Sequence, residues 1–151
     1  MSSSFDFAQA PGHLIRRAQQ IAVAEFVSEM AAFDITPVQF ALLNALIDTP
    51  GVDQITLAKK VAFDPATLGS VIGRLEVKKW VRRESDAQDR RRKRLFVSAD
   101  GLKAARQMQA AGEKVQRSIL APLKPQEQRQ FMDLLTRLVS GHEGAADQVG
   151  A

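Results

Sequence analysis

"DQITLAKKVAFDPATLGSVIGRLE", residues 53–76, holds two short apolar-periodic segments on either side of "AFDP". In the first, Ile55, Leu57, Ala58 and Val61 are the apolar positions, and the segment reads as a short helix. Asp64-Pro65 then supplies a capping side chain followed by a proline at the first helical position. The helix it opens, running to about Lys79, turns Leu68, Val71, Ile72 and Leu75 inward. Two short helices separated by so few residues read as a helix-turn-helix.

Downstream the period changes. Trp80 and Val81 begin a short strand that becomes polar at "RRES", and "KRLFVSA" is rich in strand formers. Between them lies "DAQDRRR", so the pair reads as a two-stranded hairpin with a basic tip. The wider stretch "ESDAQDRRRKRLFVSADG", residues 84–101, sets Arg90, Arg91, Arg92, Lys93 and Arg94 in a row. Five adjacent like charges are tolerated only on a solvated surface or opposite an anion. Residues 74–94 carry ten Lys/Arg against four acids, a segment charge of +6 in a chain of net charge +4. The remainder is therefore slightly acidic. A localised positive field on a near-neutral body is the footprint of a polyanion binder.

Upstream, Pro11 opens a helix with Leu14, Ile15, Ala18, Ile21, Ala22, Phe26 and Met30 at helical spacing, broken by Asp34 and Ile35. Thr36-Pro37 opens a second, carrying Phe40, Leu43, Leu46 and Ile47 and stopping at "DTPG". After the hairpin a helix from Asp100 shows a stripe of Leu102, Ala105, Met108, Gly112, Val115 and Ile119. Pro122 and Pro125 end it and open a last helix with Phe131, Leu134, Leu135 and Leu138 expected inward. The expected fold is mainly α with a small β-hairpin: a winged helix-turn-helix domain plus terminal dimerisation helices. Its parts are a flexible arm over 1–10, dimerisation helices over 11–35 and 100–141, a DNA-binding region over 36–99, and a frayed tail over 142–151. The stripes at both ends exceed what one small body readily buries, which favours a homodimer.

Composition excludes much else. There are no cysteines and no tyrosines, and only two histidines, His13 and His142. No disulfide, thiolate zinc site or cysteine nucleophile is available, and no catalytic constellation or phosphate-binding glycine loop assembles. The chain is expected to be no enzyme and to use no metal or cofactor. No apolar run approaches the roughly 20 residues of a membrane span, and "MSSSFDFAQAPGHLIRR" shows no secretory pattern, so a cytoplasmic location is expected.

A helix-turn-helix followed at once by a basic hairpin is a winged helix arrangement. Its second helix can enter the major groove and its hairpin an adjacent minor groove. Ala66, Thr67, Gly69 and Ser70 at the start of that helix are small and partly hydroxylated, fit for close approach, and Arg74 one turn on could reach a phosphate. An arginine in a narrow minor groove gains from its concentrated potential. Arg90, Arg91 and Arg92 are the candidates, with Asp89 placed to hold one of them by a charge-assisted hydrogen bond. A winged helix protein-interaction or RNA-binding module without an effector is the alternative reading.

On these residues the chain resembles the MarR (multiple antibiotic resistance regulator) family of bacterial winged helix repressors. Asp89, Arg90, Arg91, Leu95, Val97, Ser98 and Gly101 match its wing pattern. "RLEVKKWVRR" at 74–83 and "ITPVQFALLNAL" at 35–46 match its recognition-helix end and second helix. The resemblance implies double-stranded DNA with an inverted-repeat operator as partner, Arg91 as the minor-groove arginine and Asp89 as its orienting partner. Gly73, Trp80 and Gly69 depart from the usual pattern, where an acid, a glycine and a polar residue are common. "TPGVDQITLAKKVAFDPATLGSVIGRLE" further resembles a branch controlling breakdown of aromatic acids. That implies a small aromatic acid effector, for which His13, Arg16, Arg17 and Phe40 are nominated: arginine pairs with a carboxylate and a ring stacks on a ring.

Overall fold

The computed structural model describes residues 5–149. Its helices are α1 (Pro11–Glu29), α2 (Pro37–Asp48), α3 (Gln54–Lys60), α4 (Pro65–Val77), α5 (Ala99–Leu120) and α6 (Pro125–Val149). Its strands are β1 (Val52–Asp53), β2 (Val81–Ser85) and β3 (Lys93–Val97). Residues through Val115 form one compact unit and those from Gln116 a second. No helix among the described residues is long and apolar enough to cross a membrane.

The helix starts follow from their caps. Thr36 accepts from the Gln39 backbone N–H while the Gln39 side chain accepts from the Thr36 N–H, a reciprocal capping box in front of Pro37. Asp53 caps α3 through the Thr56 N–H, and Asp64 caps α4 through the Thr67 N–H, each at 2.9 Å. Inside, Leu42, Leu43 and Leu46 of α2 meet Leu57 of α3, Leu68, Ile72 and Leu75 of α4, and Leu95 of β3, all fully buried. This core holds the helix-turn-helix against the sheet.

The sheet has three antiparallel strands in the order β1-β3-β2, not the two expected. Val52 pairs with Leu95 and Asp53 with Arg94. Two residues are too few to show alternation, so the third strand left no trace in the sequence. The run from α4 into β2 needs a left-handed residue, and that residue is Lys79, at φ 61°, rather than Trp80.

The wing's far end is clamped to α5. The Ser98 hydroxyl donates to the Lys79 carbonyl at 2.6 Å and accepts from the Gly101 N–H at 3.0 Å. A Cβ on Gly101 would lie 2.2 Å from the Trp80 carbonyl oxygen, so only glycine lets α5 begin there. This contact sets the buried face of α5. It comprises Gly101, Ala104, Met108, Gly112 and Val115, while Leu102, expected inward, is exposed.

Three further expectations change. Phe131, Leu134 and Leu138 of α6 are exposed rather than inward, and Leu135 is half-buried. The expected tail from residue 142 instead continues α6 through Val149, with Glu143, Ala145 and Ala146 as good helix formers on either side of Gly144. Within the expected arm, Phe7–Gln9 form a 3-10 turn capped by Asp6, and the Phe7 ring lies 4.6 Å from the His13 ring. Residues 1–4 lie outside the described residues.

Candidate nucleic-acid interface

Ala66, Thr67, Ser70 and Arg74 are exposed along one face of α4, as their spacing requires. The Thr67 hydroxyl donates to Asp64 Oδ2 at 2.9 Å, which leaves its lone pairs to accept. The Thr67 N–H and then its hydroxyl hold the Asp64 carboxyl below the usual aspartate range. Gly69 does not share this face. It is half-buried and turned toward Gln54, whose Nε2 would stand 3.1 Å from an added Cβ. Its glycine therefore serves packing between α3 and α4, not close approach to a groove. Arg74 lines an open cleft with Val27, Met30, Ile35, Val77 and Lys78.

The wing tip is built from aspartates. Asp86 Oδ1 accepts from the Gln88 N–H at 2.9 Å, and Asp89 Oδ1 from the Arg91 N–H at 3.0 Å. The Asp86 N–H donates to the Arg92 carbonyl and the Arg92 N–H to the Asp89 carbonyl, each at 3.0 Å. Asp89 thus orients the backbone of Arg91 and not, as expected, a guanidinium: its short side chain is committed to the turn. The Gln88 N–H, outweighing partial burial, and the nearby Arg94 hold the Asp86 carboxyl below its usual range.

The cations of residues 74–94 divide into two sets. Lys78 pairs with Asp34, Arg82 with Glu84, Arg83 with Glu76 and Arg94 with Asp86, while Lys93 donates to the Ser85 hydroxyl. Arg82 also lies over the Phe96 ring. Arg74, Lys79, Arg90, Arg91 and Arg92 are exposed and make no side-chain hydrogen bond or ion pair among the described residues. Positive charge left over after folding therefore collects at the wing tip and along α4. The role of Arg83, which reaches from β2 to both α3 and α4, is invisible in the sequence because its partners Glu76, Gly69 and Gln54 belong to other elements.

The nominated effector residues fall into two places. The Arg16 Nη2 lies 3.4 Å from His13 Nδ1, and Arg17 donates to Gln20 at 2.9 Å, on the exposed start of α1. Phe40 instead packs edge-on against Phe26 at 5.6 Å between centroids, over Gly112 of α5. Phe26 is thirteen residues beyond His13 on the same helix, about 20 Å at 1.5 Å per residue. The chain does not bring Phe40 to the other three.

A model described as the MarR family matches residues 33–92. The chain is 32% identical over 128 residues to the transcriptional regulator HosA of Escherichia coli, covering 85% of this chain and 93% of that protein. It is also similar to the structure of Bordetella bronchiseptica BpsR, whose DNA binding is regulated by 6-hydroxynicotinic acid. The TM-score is 0.85 and the identity 31%, over 89% of this chain and 96% of that one. The Streptomyces coelicolor regulator PcaV, solved with its natural ligand, matches at TM-score 0.80 and 33% identity, over 91% and 97%.

Proposed function

The chain belongs to the MarR family of transcriptional regulators, and on that premise we propose that it is a cytoplasmic repressor. It grips an inverted-repeat operator as a homodimer and is released by a small aromatic carboxylate or the thioester of one. The observation that carries the DNA half is the set of exposed cations, Arg90, Arg91 and Arg92, on the wing beside the exposed Ala66, Thr67 and Ser70 of α4. Arg92 acts on the Asp53 carboxylate, whereas Arg90 and Arg91 make no ion pair among the described residues.

The dimer reading is supported by apolar side chains left in water: Leu14, Ile15 and Ile21 on α1, and Phe131, Leu134 and Leu138 on α6. Two-fold symmetry then calls for half-sites about 10 base pairs apart.

The effector reading is supported by the likeness to BpsR and PcaV and by His13, Arg16 and Arg17 gathered at the start of α1. Phe40, half-buried against Phe26, lies apart from these three. Release requires the ligand to prefer the dimer shape whose recognition helices are wrongly spaced for adjacent grooves. A coupling of about 1–3 kcal/mol weakens DNA binding by roughly 5- to 150-fold, and DNA must weaken the ligand equally. The test is calorimetric titration of an aromatic acid panel into free and DNA-bound protein, repeated with Arg17→Ala. Tighter binding to the free protein is expected. Equal affinity in the two states would sink the switch even if binding were tight, and unchanged affinity in the variant would remove Arg17 from the site.

A further inference from the structure

One guanidinium joins the wing to the helix-turn-helix. Arg83 projects from β2 with its side chain only 30% exposed. Its Nε donates to Glu76 Oε1 at 2.8 Å, a short ion pair to α4. Its Nη1 and Nη2 reach, at the long end of hydrogen-bond range, Gln54 Oε1 of α3 at 3.5 Å and the Gly69 carbonyl of α4 at 3.4 Å. Gln54 in turn donates from Nε2 to the Pro65 carbonyl at 2.9 Å, on the first turn of α4. Gly69 leaves the space for this, since a Cβ there would crowd the Gln54 amide.

We propose that Arg83 is a positioning residue that fixes the angle between the wing and α4, and so sets sequence discrimination rather than general affinity for DNA. The proposal rests on reading α4 and the wing as the DNA interface. Arginine suits the task because its fork presents several donors in one plane, whereas a lysine offers a single point of charge. Binding to random duplex draws on field and needs no fixed angle. Binding to an operator needs α4 in one groove and the wing in the next at the same time, and a preset angle removes the entropy of finding it. The unpaired arginines at the tip supply the field and are untouched by loss of Arg83.

The experiment first selects a preferred duplex from a randomised pool with the wild-type protein. Affinities for that duplex and a scrambled one are then measured for wild type, Arg83→Met, Arg83→Lys, Glu76→Gln and Gln54→Ala, with thermal unfolding of each. Arg83→Met is expected to weaken the selected duplex by about tenfold and the scrambled one by under about threefold, with Arg83→Lys restoring only part of the ratio. Because the chain has no cysteine, Gln88→Cys on the wing tip and Val77→Cys on the exposed side of α4 can carry spin labels. The distance distribution between them should broaden in the Met variant. A parallel fall on both duplexes, or an unbroadened distribution, would overturn the proposal. If Arg83→Met does not fold, an unchanged selected-to-scrambled ratio in both Glu76→Gln and Gln54→Ala overturns it equally. A wild-type protein that selects no duplex defeats the DNA reading itself, and this proposal with it, and is told apart because it appears before any variant is made.

Discussion

Asp89 Oδ1 accepts a hydrogen bond from the Arg91 backbone N–H at 3.0 Å and makes no ion pair with the Arg91 guanidinium among the described residues. The carboxylate shapes the turn and leaves the guanidinium free for an anion. Asparagine can accept the same hydrogen bond, so Asp89→Asn is expected to keep DNA affinity within about twofold. Asp89→Ala loses the bond, worth about 1 kcal/mol, and should weaken DNA binding about fivefold. Fluorescence anisotropy on one duplex distinguishes the two. Equal damage from Asn and Ala would restore a charge-based role.

Arg91→Ala should weaken the preferred and a random duplex alike, and lower the slope of log affinity against log salt by about one. Arg94→Ala should leave that slope nearly unchanged, because Arg94 Nε already lies 3.3 Å from Asp86 Oδ2. A change confined to preference at one base pair would contradict the minor-groove role of Arg91.

Glycines at two helical positions should respond with opposite signs. A Cβ on Gly112 would lie 2.8 Å from the Phe40 ring and 3.4 Å from Met30 Cε. Gly112→Ala is therefore expected to destabilise by about 1–3 kcal/mol through overpacking, and the loss should shrink in combination with Phe40→Leu. Gly73, inside α4, has nothing within 4 Å of an added Cβ. Gly73→Ala should stabilise by about 0.5–1 kcal/mol. Denaturant titration reads both.

Asp64 gives a pH dependence of defined sign. Its carboxyl is held below the usual range by the Thr67 N–H and hydroxyl. The cap's charged contribution is thus complete above the ordinary aspartate value of about 3.9 and disappears as pH falls through the lower folded value. Asp64→Asn keeps an accepting oxygen but cannot titrate. The stability difference between wild type and this variant should be constant near neutrality and shrink as pH falls below the ordinary aspartate value. A difference that grew on acidification would reverse the sign and refute it.

Much of the fold was legible because its devices are local. Thr36-Pro37 and Asp64-Pro65 announce their helices within a few residues, and five adjacent cations can only be surface. What escaped depends on distant partners. Gly69 looked like a groove contact until Gln54 and Arg83 were seen beside it. Phe40 looked like a stacking platform, whereas it packs half-buried against Phe26 and beside Gly112. The α6 stripe looked like core because periodicity shows that a face is apolar, not what covers it.

In the proposed complex two copies of this chain hold one duplex through α4 and the wing. Sedimentation equilibrium of the protein with the selected duplex measures it most directly, run beside an Arg90→Ala, Arg91→Ala, Arg92→Ala triple variant. A complex of two chains per duplex is expected, absent in the triple variant at the same salt and protein concentration. One chain per duplex, or a complex that survives loss of all three arginines, would contradict it.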